Sequence, residues 1–419
     1  MVSKNKAVEH LFRNEYGKLM ALLSQKFGVS QLEHIEDVLQ DTFLKAMKVW
    51  SYGSIPNSPT AWLYRVSNNR LIDVLRRSQR TDYLVQNDLG LLNSQTENDD
   101  LFLDNTIVDS QLRMIFACCH PSLSQEYQIV LSLKLIGGFN NAEIANALLK
   151  KEETIAKAFT RAKRKLKNEI NLNISPVQMG LQTRLFVVLR VLYLIFSEGY
   201  SATSGATVIK RDFCYEALRL ALLLKDNKYC GHPNLEALIA LMCFHASRFD
   251  ARLDKNGQLV DLENQERTKY SQELIQIGIC HLKRSKTKDN KPSHYHLEAA
   301  RSYYHCIAEN FEETDWSSIL KLYDIQLKNQ STALIELNRV VAYYKVHGAR
   351  KGLKELSLRE NRFDFKTIGL YYAIKAELLL NTNEKIRSKT ALESAIRLSE
   401  NELEKTHLEK KLNKILTEL

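Results

Sequence analysis

Proline and glycine are scarce in this chain, at 6 and 15 of 419 residues, and helix formers dominate, so the composition points to an all-α protein. The prolines (Pro56, Pro59, Pro121, Pro176, Pro233, Pro292) fall between periodic segments, as helix punctuation should. The N-terminal residues MVSKNKAVEHLFRNEY have no apolar run of the kind that opens a signal peptide. The greasiest stretch, Leu185–Phe196, is short and carries Arg190, so it reads as a buried helix; a spanning one needs about 20 apolar residues. Seven cysteines, an odd number in a long chain, suggest a reducing cytoplasm rather than a disulfide framework. No Gly-rich phosphate loop, nucleophile elbow or catalytic triad signature occurs, which argues against an enzyme with catalytic residues of its own. Metal ligands are equally thin. Cys118-Cys119-His120 has no CxxC partner and reads as small buried residues, and His294-x-His296 with His305 and Cys306 is a weaker cluster still.

What the chain does have is an uneven charge distribution. The net charge is +10. Residues 81–112 nevertheless carry seven acids (Asp82, Asp88, Glu97, Asp99, Asp100, Asp104, Asp109) and no Lys or Arg. Residues 150–167 carry eight bases against Glu152 and Glu153. A basic helix beside an acidic tether is an organised asymmetry that favours a polyanionic partner. Length and patterning divide the chain into a helical unit at 1–80, an acidic flexible linker at 81–111, a smaller helical unit at 112–173, and a long helical region at 178–419. In the last, helix-sized segments recur at Arg211–Leu224, Asn234–Arg248, Tyr295–Glu309, Asp315–Lys328, Ala333–Val346, Gly369–Leu380 and Lys385–Ser399. Residues 371–399 space Ala and large apolar residues as a tetratricopeptide (TPR) helix pair does, without a strict 34-residue period, so the array is TPR-like or irregular.

Three helix faces carry the functional reading. In Ile35–Trp50, a buried stripe of Ile35, Val38, Leu39, Phe43, Ala46, Met47 and Trp50 leaves Glu36, Asp37, Gln40 and Asp41 outside. That acidic face suits a basic protein partner, although charge alone fits a solvated face at least as well. In Thr60–Arg77, Leu63, Ser67, Leu71, Val74 and Leu75 fall on one side, and Arg65, Asn69, Arg76 and Arg80 form a stripe on the other. Arginines with an embedded Asn suit phosphate positioning plus a base contact, and Trp62 and Tyr64 could support unstacked bases; a core Trp62 and a solvated Arg row fit equally. Ala142–Leu149, a turn at Lys150–Glu152 and Glu153–Lys167 make a helix-turn-helix. Its second helix buries Ile155, Ala158, Phe159, Ala162 and Leu166 and presents Glu153, Lys157, Thr160, Arg161 and Arg164, the layout of a recognition helix.

With these faces together, the chain resembles the extracytoplasmic-function sigma factors of the bacterial sigma-70 family. IEDVLQDTFLKAM (35–47) is similar to region 2.2, and AWLYRVSNNRLIDVLRR (61–77) to regions 2.3 and 2.4. Gly53–Pro59 is similar to the specificity loop, and residues 121–167 to region 4. The resemblance implies a dissociable specificity subunit of RNA polymerase. Asp37, Gln40 and Asp41 would dock on the β′ coiled coil and region 4 would meet the β flap. Trp62, Arg65, Asn69, Arg76 and Arg80 would open and read the −10 element, with Asn69 at the position that holds a flipped base. Glu153, Lys157, Thr160, Arg161 and Arg164 would read the −35 element. It implies no cofactor, metal or catalytic residue, and a cytoplasmic protein, on the nucleoid when in holoenzyme.

CCHPSLS (118–124), LIFSEGYSATSG (194–205), LENQERTKY (262–270), TDW (314–316) and LYD (322–324) resemble the subgroup with a long C-terminal helical extension, which implies a built-in regulatory module that modulates activity, with a protein or small-molecule ligand. The chain departs from the typical member in being Lys- and Asn-rich and in Lys150-Lys151-Glu152-Glu153 around the turn, which bears on −35 preference. The acidic linker would pass through the RNA exit path as an RNA mimic, or serve as an inert spacer. In the extension, Arg248, Arg252, Glu263, Gln265 and Arg267 read as a ligand pocket or, more plainly, as a buried ion-pair network. The competing reading of the whole is a stand-alone helix-turn-helix regulator with a TPR-like sensor, which predicts tight duplex binding without polymerase. A TPR-like adaptor is a third.

Overall fold

The computed structural model describes residues 2–52, 55–78, 97–148, 150–169, 181–200, 210–228, 230–255, 258–286, 291–399 and 402–417. Among them every long element is a helix, and the only pairing of extended backbone is an isolated bridge between Leu253 and Leu259. The chain divides into two compact units, residues 1–195 with 226–231, and residues 196–225 with 232–419.

The first unit holds α1 (Val2–Phe27), α2 (Leu32–Tyr52), α3 (Pro59–Ser78), α4 (Glu97–Cys118), α5 (Gln125–Leu131), α6 (Asn141–Ala147), α7 (Glu152–Glu169) and most of α8 (Leu181–Tyr200). Helix α1 contributes Leu19, Met20, Leu22 and Leu23 to the core and packs on α2, α4 and a π-helical turn at Ser132–Ile136. Gly17 is what permits the last contact, because a Cβ there would overlap the Ile136 carbonyl. In α2 the buried line is Ile35, Val38, Leu39 and Ala46; Met47, expected inside, is 49% exposed. At about 100° per residue Met47 lies roughly a quarter-turn from that line, beyond its edge. In α3, Leu63 and Leu71 are fully buried and the Ser67 hydroxyl donates to the Leu63 carbonyl at 2.8 Å.

The 81–111 stretch read as a flexible linker is helical from Glu97 onward, whereas residues 79–96 lie outside the described residues. Cys118 and Cys119 close α4 fully buried. Burial pushes the Cys119 thiol up to about 12, against a lowering pull from Ser132 and Arg184. The helix-turn-helix is fixed by sequence-encoded caps. Ser124 caps α5, and Asn140 with Glu143 forms a reciprocal capping box on α6, at 2.8 and 2.7 Å. The apolar stripe of α7 is buried at all five expected positions.

The second unit holds α9 (Arg211–Lys225), α10 (Pro233–Ala246), α11 (Gln272–Arg284), α12 (His294–Ile307), α13 (Trp316–Asn329), α14 (Ala333–His347), α15 (Ala349–Glu360), α16 (Gly369–Leu380), α17 (Lys385–Leu398) and α18 (Glu402–Thr417). Helix α10 is buried nearly all round, from Leu235 to Ala246, and α9, α11 and α12 pack on it. From α12 onward each helix packs on its successor in a stacked array. Pairs begin at His294, Ala333 and Gly369, and the single helix α18 follows at Glu402, intervals near the tetratricopeptide repeat without its strict period. The seven helices expected in this region are present; α11, α15 and α18 were not anticipated, each being short or strongly charged. The ion-pair reading of Arg248, Arg252, Glu263, Gln265 and Arg267 fails. Glu263 is exposed, and among the described residues none of the three arginines pairs with a carboxylate. No described helix is long and apolar enough to cross a membrane.

Helices α10 and α11 approach closely at Gly278, where a Cβ would stand 2.7–3.0 Å from the Phe244 ring. The Phe244 ring is itself fully buried. Gly278→Val is therefore expected to cost about 2–3 kcal/mol by overpacking, read as a lower midpoint in urea with an unchanged slope. A loss below about 0.5 kcal/mol would show that the ring yields and that the contact is not tight.

Candidate nucleic-acid interface

Three exposed faces of the first unit bring together the residues singled out by sequence. On α2, Asp37, Gln40 and Asp41 are all exposed, and Asp41 pairs with Arg70 of α3 at 2.5 Å. Glu36, expected beside them, is not part of this face. It is largely buried and pairs with Lys163 of α7 at 2.7 Å. The sequence reading missed the apolar component of the face. Leu44 and Met47 are 56% and 49% exposed, and at about 100° per residue they stand beside Gln40 and Asp37. An exposed apolar patch rimmed by acids is a more specific partner surface than charge alone, since contiguous exposed apolar area marks interaction sites. The available signal was the angle of Leu44, directly opposite the core line.

On α3, Arg65, Asn69 and Arg76 are exposed and aligned, and Arg80 lies outside the described residues. Asn69 Oδ1 accepts from the neighbouring Asn68 side chain at 3.4 Å. Trp62 heads the same stripe and is half-buried, its ring 5.5 Å from that of Trp50. Tyr64 is only 8% exposed, so it is a core residue and not a platform for bases. Asp73 was overlooked. It is exposed beside Asn69 and breaks the row of cations, which gives the stripe a donor-acceptor pattern rather than uniform positive charge.

On α7, Glu153, Lys157, Thr160, Arg161 and Arg164 are all exposed. Glu153 and Lys157 pair across one turn at 2.6 Å, and Thr160 donates back to the Ala156 carbonyl at 3.0 Å. Lys163 and Lys134 both stand over the Phe159 ring, at 4.7 and 5.2 Å, so the base of the helix is cationic as well. Burial pushes the Lys134 ammonium below its ordinary range, partly countered by Glu36. Thr160, Arg161 and Arg164 line one wall of an open groove of about 250 Å³ whose other wall is Val29, Ser30, Leu32 and Glu33, at the start of α2.

These features define an all-helical protein with two separate exposed faces that carry cations and one exposed face that is acidic and partly apolar. Family comparisons agree. Residues 11–81 match sigma-70 region 2, residues 113–166 match sigma-70 region 4, and residues 184–286 match a family of unknown function (DUF6596). The chain is 31% identical over 389 residues to an uncharacterized protein of Rhizobium meliloti (strain 1021), covering 92% of this chain and 91% of that one. It is 25% identical over 143 residues to the RNA polymerase sigma factor YlaC of Bacillus subtilis (strain 168), covering 34% of this chain and 79% of that one. No solved structure matches. The chain belongs to the sigma-70 family: it is an RNA polymerase sigma factor with regions 2 and 4 and a long C-terminal helical extension.

Proposed function

We propose that the three faces divide the labour of promoter recognition as their chemistry suggests. Asp37, Gln40 and Asp41, with Leu44 and Met47, dock on a basic surface of core polymerase, the β′ coiled coil, while region 4 meets the β flap. Trp62, Arg65, Asn69 and Arg76 engage the −10 element, with Asn69 on an unstacked base; Arg80 joins them by sequence position. Glu153, Lys157, Thr160, Arg161 and Arg164 engage the −35 element. The observation that carries this reading is that one unit exposes Asp37, Gln40 and Asp41 on α2, Arg65, Asn69 and Arg76 on α3, and all five residues of the α7 set, with Trp62 half-buried at the head of the α3 stripe. The protein supplies recognition and no bond-making step, works in the cytoplasm, and joins the nucleoid as part of holoenzyme. The extension of α9–α18 modulates activity in cis.

Run-off transcription tests the reading, with bacterial core polymerase, full-length protein and the DNA upstream of its own gene. A discrete start site absent with core alone is expected. No initiation together with no co-elution with core would instead favour the stand-alone regulator. Truncation after Tyr200, which keeps α8 and the Arg184 bond to the Phe116 carbonyl, is expected to change initiation or core affinity; identical behaviour of both forms would end the modulation idea.

A further inference from the structure

The second unit gathers more buried positive charge than it neutralises. Arg248 is 8% exposed, and its Nε and Nη2 donate to Gln265 Oε1 at 3.2 and 3.0 Å. Arg252 donates to the Tyr200 carbonyl at 2.8 Å and lies 3.8 Å from the centre of that ring. Arg301 donates to Gln326 Oε1 at 2.7 Å and stands over the Tyr323 ring at 4.3 Å. Arg267 donates through Nη1 to the Tyr270 hydroxyl and shares the Tyr270 ring with Arg248, at 4.9 and 5.9 Å from its centre. Every partner is neutral. Among the described residues no carboxylate forms an ion pair with any of the four, although Glu298, three residues before Arg301 on α12, bears on Tyr323 together with Arg301; residues 201–209 and 256–257, outside the described residues, contain no Asp or Glu.

The arginines also bear on two histidines, after burial as the larger cause. Burial pushes His305 down to about 3, with Arg248, Arg267 and Arg301 adding to the shift. His245 moves the same way, by burial and then by Arg248, Arg252, His305 and Arg301. Donor capacity is also left over. Arg267 Nε and Nη2 are buried without a hydrogen-bond partner, and the Nδ1 atoms of His245 and His305, each donor or acceptor according to its tautomer, are likewise unpartnered. Nε and Nη2 form the edge of a guanidinium that grips two oxygens of one oxyanion in parallel. An arginine stays charged even when buried, and a buried charge without a counter-charge is costly. One buried and three half-buried arginines in one cluster, on segments as far apart in sequence as Arg248 and Arg301, are out of place in a merely structural core.

We propose that this cluster is a binding site for a small oxyanion, a phosphoryl or carboxylate group on a diffusible molecule, gripped by the free edge of Arg267 and neutralising Arg248, Arg252 and Arg301. The missing negative charge is the ligand's. The site belongs to the extension alone and does not depend on the promoter reading of the first unit.

Thermal melting of the full-length protein at constant ionic strength tests it, with inorganic phosphate, pyrophosphate or citrate against a potassium chloride control. A saturable rise in Tm with phosphate and pyrophosphate assigns a phosphoryl group, and one with citrate a carboxylate. Arg267→Met is expected to raise the anion-free Tm, because an uncompensated charge is removed, and to weaken anion binding at least tenfold. Arg267→Lys keeps the charge without the fork and is expected to weaken binding similarly, which decides the matter if the Met variant fails to fold. Anion binding at the basic α7 face would survive both substitutions. No oxyanion effect beyond chloride in the wild type, or unchanged binding in the folded variants, overturns the proposal. Neither polymerase nor DNA is present, so such a failure would leave the sigma-factor reading untouched.

Discussion

Replacing Arg65 and Arg76 by glutamate is expected to leave the protein folded and able to co-elute with core polymerase, and to cut run-off transcription by about 100-fold or more. Both side chains are exposed on α3, and neither makes an ion pair within the described residues, so the substitutions disturb no internal contact. Each charged contact to a phosphate contributes roughly 1.5–3 kcal/mol. Losing two of them amounts to at least a factor of about 100, since a tenfold change corresponds to about 1.4 kcal/mol. Charge reversal adds repulsion from the duplex. The milder pair Arg65→Ala and Arg76→Ala is expected to reduce the salt slope of promoter binding by about two, one unit per lost phosphate contact. Initiation at the wild-type level by the glutamate variant would remove α3 from the promoter. Loss of core co-elution would place the stripe at the polymerase instead.

Tying region 2 to region 4 is expected to abolish initiation. Glu36 and Lys163 form a 2.7 Å ion pair between α2 and α7, and the groove beside it is walled by the very residues assigned to the −35 element. Elements centred near −10 and −35 lie about 25 base pairs apart, or roughly 85 Å of straight duplex at 3.4 Å per base pair. With α3 on one element and α7 on the other, as proposed, one unit does not span both while that ion pair persists, so promoter binding is expected to open it. A protein with Glu36→Cys and Lys163→Cys, in a background of Cys280→Ser to remove the exposed native thiol, can be joined by a short cleavable bis-maleimide. The linked form is expected to show no promoter-specific initiation, and cleavage of the linker to restore it. If the linked protein initiates like the unlinked one, α7 reads its element without leaving α2. The separate charge change Glu36→Gln should release the latch without a linker, and is expected to raise promoter affinity modestly where opening is part of the cost.

Much of the site was legible because its residues sit on single helices. Within one helix the 100° step fixes which side chains share a face, so Arg65 aligns with Asn69 and Arg76, and Ile155 with Ala158, Phe159, Ala162 and Leu166, before any packing is known. Caps are equally local: Asn140 and Glu143 announce the start of α6 three residues apart. Tyr64 and Met47 were misplaced because each lies near the margin of its stripe, where the neighbouring helix decides burial and the period cannot. The helical start at Glu97 was missed because acid-rich sequence suits a first turn and a solvated tether alike.

The sequence by itself determined the all-α class, the helix-turn-helix, the position of the two cationic faces and the family, since these depend on periodicity, capping and motif within short windows. Only the tertiary structure decided that Glu36 belongs to an ion pair with Lys163 rather than to the exposed acidic face of α2, that Leu44 and Met47 extend that face, and that Arg248, Arg252, Arg267 and Arg301 converge without an ion-pair partner among the described residues. Those facts join residues up to 127 positions apart. No local rule fixes such a contact, because it depends on how already formed helices pack to bury their apolar faces, and charge left over from that packing is visible only once every neighbour is in place.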